Sequence, residues 1–198
     1  MTISAEQVKQ LRDRTGAGMM ECKKALNESQ GDVDKAIDVL RKAGIARAGA
    51  RAERAASEGL VEAYIHPGNR VGVLIEVNCE TDFVARTAEF AELVRNLAMQ
   101  VAAAGAEVVR REDVPAERVA KEREIFAAQL EGQGKPAAIV DKIVDGKLEK
   151  FYADVCLLEQ PYIRDDKVAV RDLVVQAAGK TGENIVVRRF ARFRLGAE

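Results

Sequence analysis

One stretch, Asn78-Cys79-Glu80-Thr81-Asp82-Phe83-Val84-Ala85-Arg86, marks the point at which the apolar pattern of the chain changes its period. Upstream of it, Val and Ile occupy every second position, which is typical of a strand with one buried face. Downstream of it, apolar residues recur at helical spacing. The upstream set is Val71, Val73, Ile75 and Val77, and the downstream set is Phe90, Leu93, Leu97 and Val101. The stretch therefore predicts a turn between a strand and a helix, and Thr81, Asp82 or Thr87 can each cap the helix start.

Phe83 is the unusual member of this turn, because it is a large apolar side chain beside a charged one, Asp82. A turn between a strand and a helix lies at the surface of a protein. An aromatic residue there either folds back into the core or contacts a partner. The residues alone favour burial, because packed aromatics are commoner than exposed ones, and they leave the partner contact open.

Composition and charge narrow the class of protein. The 198 residues allow one or two domains, and Lys+Arg 31 against Asp+Glu 32 give a nearly neutral chain. This balance argues against nucleic-acid binding through bulk charge, and the absence of Trp removes the best base-stacking side chain. No apolar run is long enough to span a bilayer, and the first residues lack the pattern of a signal peptide. We therefore expect a cytoplasmic protein.

Residues with catalytic or metal-binding chemistry are scarce and scattered. The cysteines, Cys22, Cys79 and Cys156, are far apart, and His66 is the only histidine. Their spacing fits neither a disulfide framework nor a zinc site, and no glycine-rich phosphate loop or nucleophile elbow is present. The sequence therefore predicts no catalytic residues, no metal site and no cofactor.

The N-terminal quarter predicts a small helical bundle over residues 1–44. Helices are indicated over residues 4–14 and 19–29, with Ser4 and Gln7 as a capping box for the first. Asp32 caps a third helix, and Gly44 is expected to end it. Met19 and Met20 are adjacent, so they cannot both face the bundle core, and one or both are expected at the surface. Residues 45–57, rich in Ala and Arg, then predict a solvated linker helix.

Residues 58–198 predict an α+β core domain. Leu60–His66 and Arg70–Asn78 form a β-hairpin, and helices over Ala116–Leu130 and Pro136–Leu157, separated by Gly132-Gln133-Gly134, form a helical hairpin. A helix is expected over Lys167–Ala178, capped by Asp166, followed by a strand over Glu183–Leu195. One face of that strand carries Ile185, Val187, Ala191, Phe193 and Leu195, and the other, expected to be solvated, carries Arg188, Phe190, Arg192 and Arg194. The fold class is thus a small antiparallel sheet covered by helices.

Three segments of the chain resemble the bacterial elongation factor Ts family, the nucleotide exchange factors for elongation factor Tu. They occur in the family's order, the element pattern fits over essentially the whole chain, and the Thr-Asp-Phe-Val-Ala-Arg motif is specific. The segments are Leu11–Leu26, His66–Leu74 running on through Asn78–Arg86, and Leu158-Glu159-Gln160-Pro161.

The resemblance implies the fold, the partner and the site residues. The bundle would be a ubiquitin-associated-like domain that docks on the nucleotide-binding domain of elongation factor Tu through Arg12, Met19, Met20 and Lys23. The segment Thr81, Asp82, Phe83 and Val84 would enter near the magnesium site of elongation factor Tu and promote GDP release, with Asp82 and Phe83 as principal residues. This changes the interpretation of Phe83 from core to partner contact. Such a factor makes or breaks no bond and is not an enzyme.

One departure and two alternatives remain. Longer family members carry two core half-modules and an inserted coiled coil, whereas this chain holds one half-module. A homodimer through residues 56–198 would replace the second and cover the small sheet. The alternatives are a general protein-binding module and an RNA-binding translation accessory that uses Arg47–Arg54 and Arg188–Arg194. Steep weakening of binding by salt would identify the RNA-binding alternative.

Overall fold

The structure is a computed structural model that describes residues 3–15, 17–132 and 136–197, with the backbone alone at positions 45, 47 and 48. Gly16, Gln133 and Gly134, which the sequence places in predicted breaks between helices, lie outside these residues. The chain divides into two compact units. The first contains Met1–Leu60, Asn78–Leu93 and Asp172–Val186, and the second contains Val61–Val77, Val94–Arg171 and Val187–Glu198.

The first unit begins with three helices, α1 (Ala5–Thr15), α2 (Met19–Glu28) and α3 (Val33–Arg51). The predicted capping box at α1 is present, because Ser4 N donates to Gln7 Oε1 at 3.0 Å and Gln7 N donates to Ser4 Oγ at 3.2 Å. Asp32 caps α3 by accepting from the backbone amides of Asp34 and Lys35 at 3.1 Å each. A common core joins the three helices through Val8, Leu11, Cys22, Ala25, Leu26 and Ala36.

The third helix does not end at Gly44, so that prediction is wrong. The helix continues to Arg51, and a Cβ at Gly44 would lie 3.7 Å from Cγ1 of Val175. A glycine costs about 1 kcal/mol inside a helix relative to alanine, but here it faces a packed neighbour on α8 (Val170–Thr181). Further along, the Arg51 guanidinium donates to the carbonyl of Ala178 at 3.2 Å. These contacts stabilise a continuous helix where a solvated linker is predicted, and the domain boundaries at residues 44 and 57 stay a prediction.

The predicted hairpin is present in the sheet, and its second strand is the central one. Among the described residues it has three antiparallel strands in the order β1 (Glu58–Ile65), β2 (Val71–Cys79), β5 (Val186–Arg194). The hairpin turn contains Gly68 at φ 90° and Asn69 at φ 56°, the left-handed values that glycine and asparagine tolerate best. On β2 the residues Val73, Ile75, Val77 and Cys79 are buried, which confirms the alternation seen in the sequence.

The two faces of β5 differ from the prediction. Val187 is buried, but Phe193 on the predicted apolar face is 73% exposed. Phe190 and Arg192, expected in solvent, are half-buried, and Arg192 Nη2 donates to the carbonyl of Ala102 at 3.3 Å. The burial alternation therefore changes phase between Val187 and Phe190. Because helix α5 (Ala88–Ala104) occupies the Arg192 side, the apolar side chains beyond this point lie on the uncovered face.

The predicted helical hairpin is present in the second unit as α6 (Ala116–Ala128) and α7 (Ala137–Val155). Leu130, Val144 and Leu148 form its buried centre. The helices are antiparallel, because Arg118 near the start of α6 lies 5.2 Å from the ring of Phe151, whereas Phe126 near its end lies 5.4 Å from Lys147 Nζ. Short 3-10 turns, Arg111–Asp113 and Leu157–Glu159, flank the pair.

The segment before α8 is a second small hairpin, so the predicted helix start at Asp166 and Lys167 is wrong. Strands β3 (Pro161–Tyr162) and β4 (Asp165–Ala169) pair antiparallel, and α8 begins only at Val170. The buried amide of Gln100 fixes this hairpin by donating to the carbonyl of Pro161 at 3.1 Å and accepting from the amide of Ile163 at 2.9 Å. No helix within the described residues combines the length and apolarity needed to cross a bilayer.

Candidate functional site

The turn after β2 consists of two successive helix starts, each capped by a threonine. Thr81 has extended backbone angles (φ −128°, ψ 155°), and its Oγ1 accepts from the amide of Val84 at 3.4 Å, which begins the one-turn helix α4 (Asp82–Ala85). Thr87 repeats the arrangement for α5, accepting from the amide of Phe90 at 3.3 Å. Two of the three predicted caps are thus confirmed, and the chain turns sharply between them.

This geometry presents Phe83 to solvent. The side chain is 81% exposed, whereas Ala85 on the opposite side of the single turn is buried. The interpretation of Phe83 as a core residue is therefore wrong. Asp82 is half-buried and forms an ion pair of 2.9 Å with Arg86 one turn later.

A carboxylate distant in sequence, Glu183, holds the backbone of the turn. Its Oε2 accepts from the amides of Glu80 and Thr81 at 3.0 Å each, and its Oε1 accepts from the Thr81 hydroxyl at 2.6 Å. Sequence reasoning missed Glu183, which is 102 positions from Thr81. The available signal was a polar pair, Glu183-Asn184, directly after the glycine that ends α8, but that pattern alone names no target.

A reciprocal contact runs in the other direction. The amide of Asn184 donates to Glu80 Oε1 at 2.6 Å, and the Asn184 side chain donates to the carbonyls of Ala52 at 3.4 Å and Arg54 at 2.9 Å. Asn184 is 7% exposed, so these bonds satisfy a buried amide. The turn is thereby connected both to the end of α8 and to the residues that follow α3.

Cys79, the last residue of β2, also contacts the backbone of the turn. Its thiol donates to the carbonyl of Thr81 at 3.2 Å and is fully buried. Burial raises the pKa of the Cys79 thiol above its ordinary value, and the nearby charge of Glu183 raises it further. The thiol therefore stays protonated and keeps its hydrogen bond at neutral pH.

The four bundle residues singled out by the sequence lie on the surface of the same compact unit as the turn. Met19 and Met20 form the start of α2 and are 51% and 77% exposed. Arg12 on α1 and Lys23 on α2 are also exposed. The structure thus gives this unit two exposed apolar features, the methionine pair and Phe83, and Lys23 follows Met19 by one turn of α2.

Comparison with known proteins decides the family. A family model described as elongation factor TS matches residues 5–197. The chain belongs to the elongation factor Ts family. An elongation factor Ts of Moorella thermoacetica is 61% identical over 194 residues, which cover 98% of this chain and 96% of the relative. Those of Carboxydothermus hydrogenoformans (58% over 194 residues, 98% and 89% covered) and Herpetosiphon aurantiacus (54% over 197 residues, 100% of both) are similar. The chain is accordingly a translation elongation factor.

Several arginines of the RNA-binding alternative make contacts within the chain. Arg51 bonds the carbonyl of Ala178, and Arg54 lies 3.5 Å from Glu80. Arg189 pairs with Glu76 at 2.7 Å, and Arg192 is half-buried and donates to the carbonyl of Ala102 on α5. The side chain of Arg47 lies outside the described residues. In the part of the chain that the structure describes, no three His, Cys, Asp or Glu side chains form a cluster fit for a metal ion.

Proposed function

We propose that this elongation factor is a guanine-nucleotide exchange factor that binds elongation factor Tu–GDP and promotes the release of GDP. The observation that carries the proposal is Phe83, which is 81% exposed at a turn whose backbone is fixed by Glu183. Water disfavours such an exposed ring, and an ordered turn lowers the entropy lost when the ring enters a partner. The side chain is therefore suited to insertion into another protein.

The proposed mechanism acts on the magnesium and phosphate site of the partner. GDP is held by phosphate contacts and by Mg²⁺, which needs near-octahedral oxygen ligands at short distances. Insertion of the segment Thr81, Asp82, Phe83 and Val84 between packed elements beside that site shifts them as units, because packed interiors switch rather than deform smoothly. Asp82 adds a negative charge near the ligands of the cation. Both effects weaken magnesium coordination and hence GDP binding.

Thermodynamic linkage constrains this mechanism. If the factor lowers the affinity of elongation factor Tu for GDP, GDP lowers the affinity of elongation factor Tu for the factor by the same ratio. The complex therefore forms most tightly with nucleotide-free elongation factor Tu and dissociates when GTP binds. No bond is made or broken, so the factor is not an enzyme and this role requires no acid, base or metal of its own.

Docking is assigned to the bundle. Met19 and Met20 offer flexible, polarisable side chains that adapt to a partner surface, and Arg12 and Lys23 add positive charge beside them. These four residues lie on α1 and α2, whereas the inserted segment lies on α4. We therefore assign affinity mainly to the bundle and the maximal rate of GDP release mainly to the turn.

A homodimer through the uncovered sheet face is part of the proposal. Ile65 on β1 lies over Gly72 on β2, because its Cδ1 is 3.0 Å from the position of a Cβ there. The Arg189–Glu76 pair puts the odd-numbered side chains of β5 from Arg189 onward on the same face. This face carries Val61, Ile65, Leu74 and Phe193, each 49% to 73% exposed. The exposed Leu195 directly follows the last residue of β5. The five amount to on the order of 500 Å², which is within the range of the largest apolar patch on a typical monomer, and such patches are often functional. Identical copies related by a two-fold axis would cover it.

Release of a fluorescent GDP analogue from elongation factor Tu, with and without this protein, tests the function. We expect acceleration that saturates with the concentration of the factor and that falls only modestly between ~50 and 200 mM salt, unlike phosphate-driven binding. The double variant Met19→Ala/Met20→Ala should raise the half-saturating concentration and leave the maximal rate near that of the wild type. A release rate that is the same with and without the wild-type protein would refute the proposed function.

A further inference from the structure

We propose that Glu183 is a positioning residue for nucleotide exchange, and this inference rests on the proposed function. Its carboxylate would set the backbone of residues 80–81 and, through the Thr81 hydroxyl, the one-turn helix that presents Phe83. Glu183 itself is half-buried and lies outside the Thr81–Val84 segment.

The Glu183 carboxylate accepts several hydrogen bonds from the residues just before α4. Glu183 accepts two backbone amides, from Glu80 and Thr81, and one hydroxyl, from Thr81, at 3.0, 3.0 and 2.6 Å. Bonds to an ionised acceptor are shorter and about twice as strong as neutral ones. All three donors precede the first residue of α4, so Glu183 fixes the chain at the point where the helix must begin.

The carboxylate also orients the Thr81 hydroxyl. A hydroxyl has one proton to donate and lone pairs to accept. Because its proton is directed to Glu183 Oε1, its oxygen is left to accept from the amide of Val84. Without the carboxylate, that proton can rotate toward other acceptors and the cap on α4 loses its fixed geometry. Glu183 therefore acts on α4 without touching it.

Helix α4 is weak by itself. The helix has four residues, Asp82–Ala85, far below the length at which a helix is stable alone. Its stability must come from the cap and from burial of Ala85. Loss of the cap should allow α4 to fray, and the direction of Phe83 would then vary among many conformations.

The position of Glu183 is itself determined by the fold. Gly182 ends α8 at φ 78°, a value that favours glycine, and the amide of Glu183 donates to Thr181 Oγ1 at 3.3 Å. The next residue, Asn184, bonds back to Glu80 and to the residues after α3. Glu183 thus projects from a rigid helix end, as a positioning group requires.

A kinetic experiment separates positioning from a merely structural role. With Glu183→Ala, we expect the maximal rate of GDP release to fall on the order of tenfold, with the half-saturating concentration within about twofold, because the bundle residues that dock are unchanged. Glu183→Gln keeps a carbonyl for the two backbone amides, but its amide group donates to the Thr81 hydroxyl instead of accepting its proton, so its maximal rate should lie between those of the wild type and Glu183→Ala. A merely structural role would lower the folded fraction but leave the maximal rate per folded molecule unchanged.

A second measurement needs no elongation factor Tu. The chain contains no Trp and three Tyr, so Phe83→Trp introduces a single tryptophan at the tip of the turn, whose fluorescence can be excited apart from that of the tyrosines. Adding Glu183→Ala should increase the fast, subnanosecond part of its anisotropy decay, and adding Glu183→Gln should increase it less. Ile125→Trp, on α6 in the other unit, is the control and should be insensitive to both changes. If Glu183→Ala fails to fold, Thr81→Val removes the hydroxyl at nearly constant volume and should act in the same direction.

The outcomes distinguish this inference from the function on which it rests. A wild-type protein that fails to speed GDP release refutes the exchange function, whatever Glu183 does. A wild-type protein that speeds release, with an unchanged maximal rate in Glu183→Ala or an unchanged anisotropy decay of the fluorophore at position 83, overturns only the role of Glu183. Loss of maximal rate together with faster motion at position 83 supports it.

Discussion

Truncation of Phe83 should separate activity from stability more cleanly than any other change in this chain. A phenylalanine offers roughly 200 Å² of surface, and at 81% exposure Phe83 keeps about 160 Å² of it in water. Burial of that area in a partner, at roughly 25 cal/mol per Å², contributes about 4 kcal/mol. Phe83→Ala retains a fraction of the area, so we expect a loss of about 3 kcal/mol, or about 100-fold, in kcat/KM for GDP release.

The same exposure means that the folded state gains little from the ring. The free energy of unfolding in urea should therefore change by less than about 0.5 kcal/mol in Phe83→Ala, as for an ordinary surface substitution. Ile125→Ala, which removes an apolar side chain (42% exposed) on α6, is the control for activity and should leave kcat/KM unchanged. Release of fluorescent GDP in a stopped-flow instrument, across a range of factor concentrations, gives kcat/KM.

Two results would refute this reasoning. A variant whose free energy of unfolding is lower by more than about 2 kcal/mol, but whose rate of GDP release per folded molecule is normal, would show that Phe83 is a core residue. A variant of normal stability whose kcat/KM lies within threefold of the wild type would show that the ring is not inserted.

The remaining predictions concern the supporting structure. Arg41→Ala should lower the free energy of unfolding in urea by roughly 3–5 kcal/mol, because it leaves the Asp172 carboxylate, only 4% exposed, without its ion-pair partner. The double variant Arg41→Ala/Asp172→Asn should recover part of the loss, and equal stabilities of the single and double variants would contradict this account. Phe193→Asp should give a species near 21.6 kDa in sedimentation equilibrium, whereas Ile163→Asp should sediment as the wild type does, and a monomeric wild type would remove the dimer proposal. Burial raises the pKa of the Cys156 thiol from 9.0 to about 11, so the folded state retains this proton longer than the unfolded state. Stability should therefore fall between about pH 9 and 11, by at most about 1.4 kcal/mol per pH unit, and less steeply in Cys156→Ala; equal slopes would show that the thiol is not the source.

The parts of the fold that could be predicted are those in which one element's own sequence carries the signal. The alternation along β2 and the capping box of α1 depend on residues within a few positions of one another, and both are confirmed. Gly44 shows the limit. A helix signal ends there locally, but the contact with Val175 on α8 favours continuation, and this contact joins residues far apart in the sequence.

The same limit applies to β5 and to the candidate site. Alternation along β5 could not say which face α5 would cover, and it grouped Val187 with Phe193 although the burial alternation changes phase between Val187 and Phe190. At the turn, the residues of the motif were found because they are contiguous and resemble a family. Glu183 was not found, because its role depends on where the end of α8 comes to lie.

The continuity of α3 has a consequence for how tightly this factor can bind. The helix runs without a break from the bundle to Arg51, and the residues just after it are bonded to Asn184, next to Glu183. The proposed docking residues of the bundle and Phe83 are therefore joined by ordered structure rather than by a flexible tether. Once the bundle is bound, the ring has a high effective concentration at its own site, and the second contact costs little further translational or rotational entropy. The contact of the bundle and the contact of Phe83 would then contribute together to the affinity for one partner.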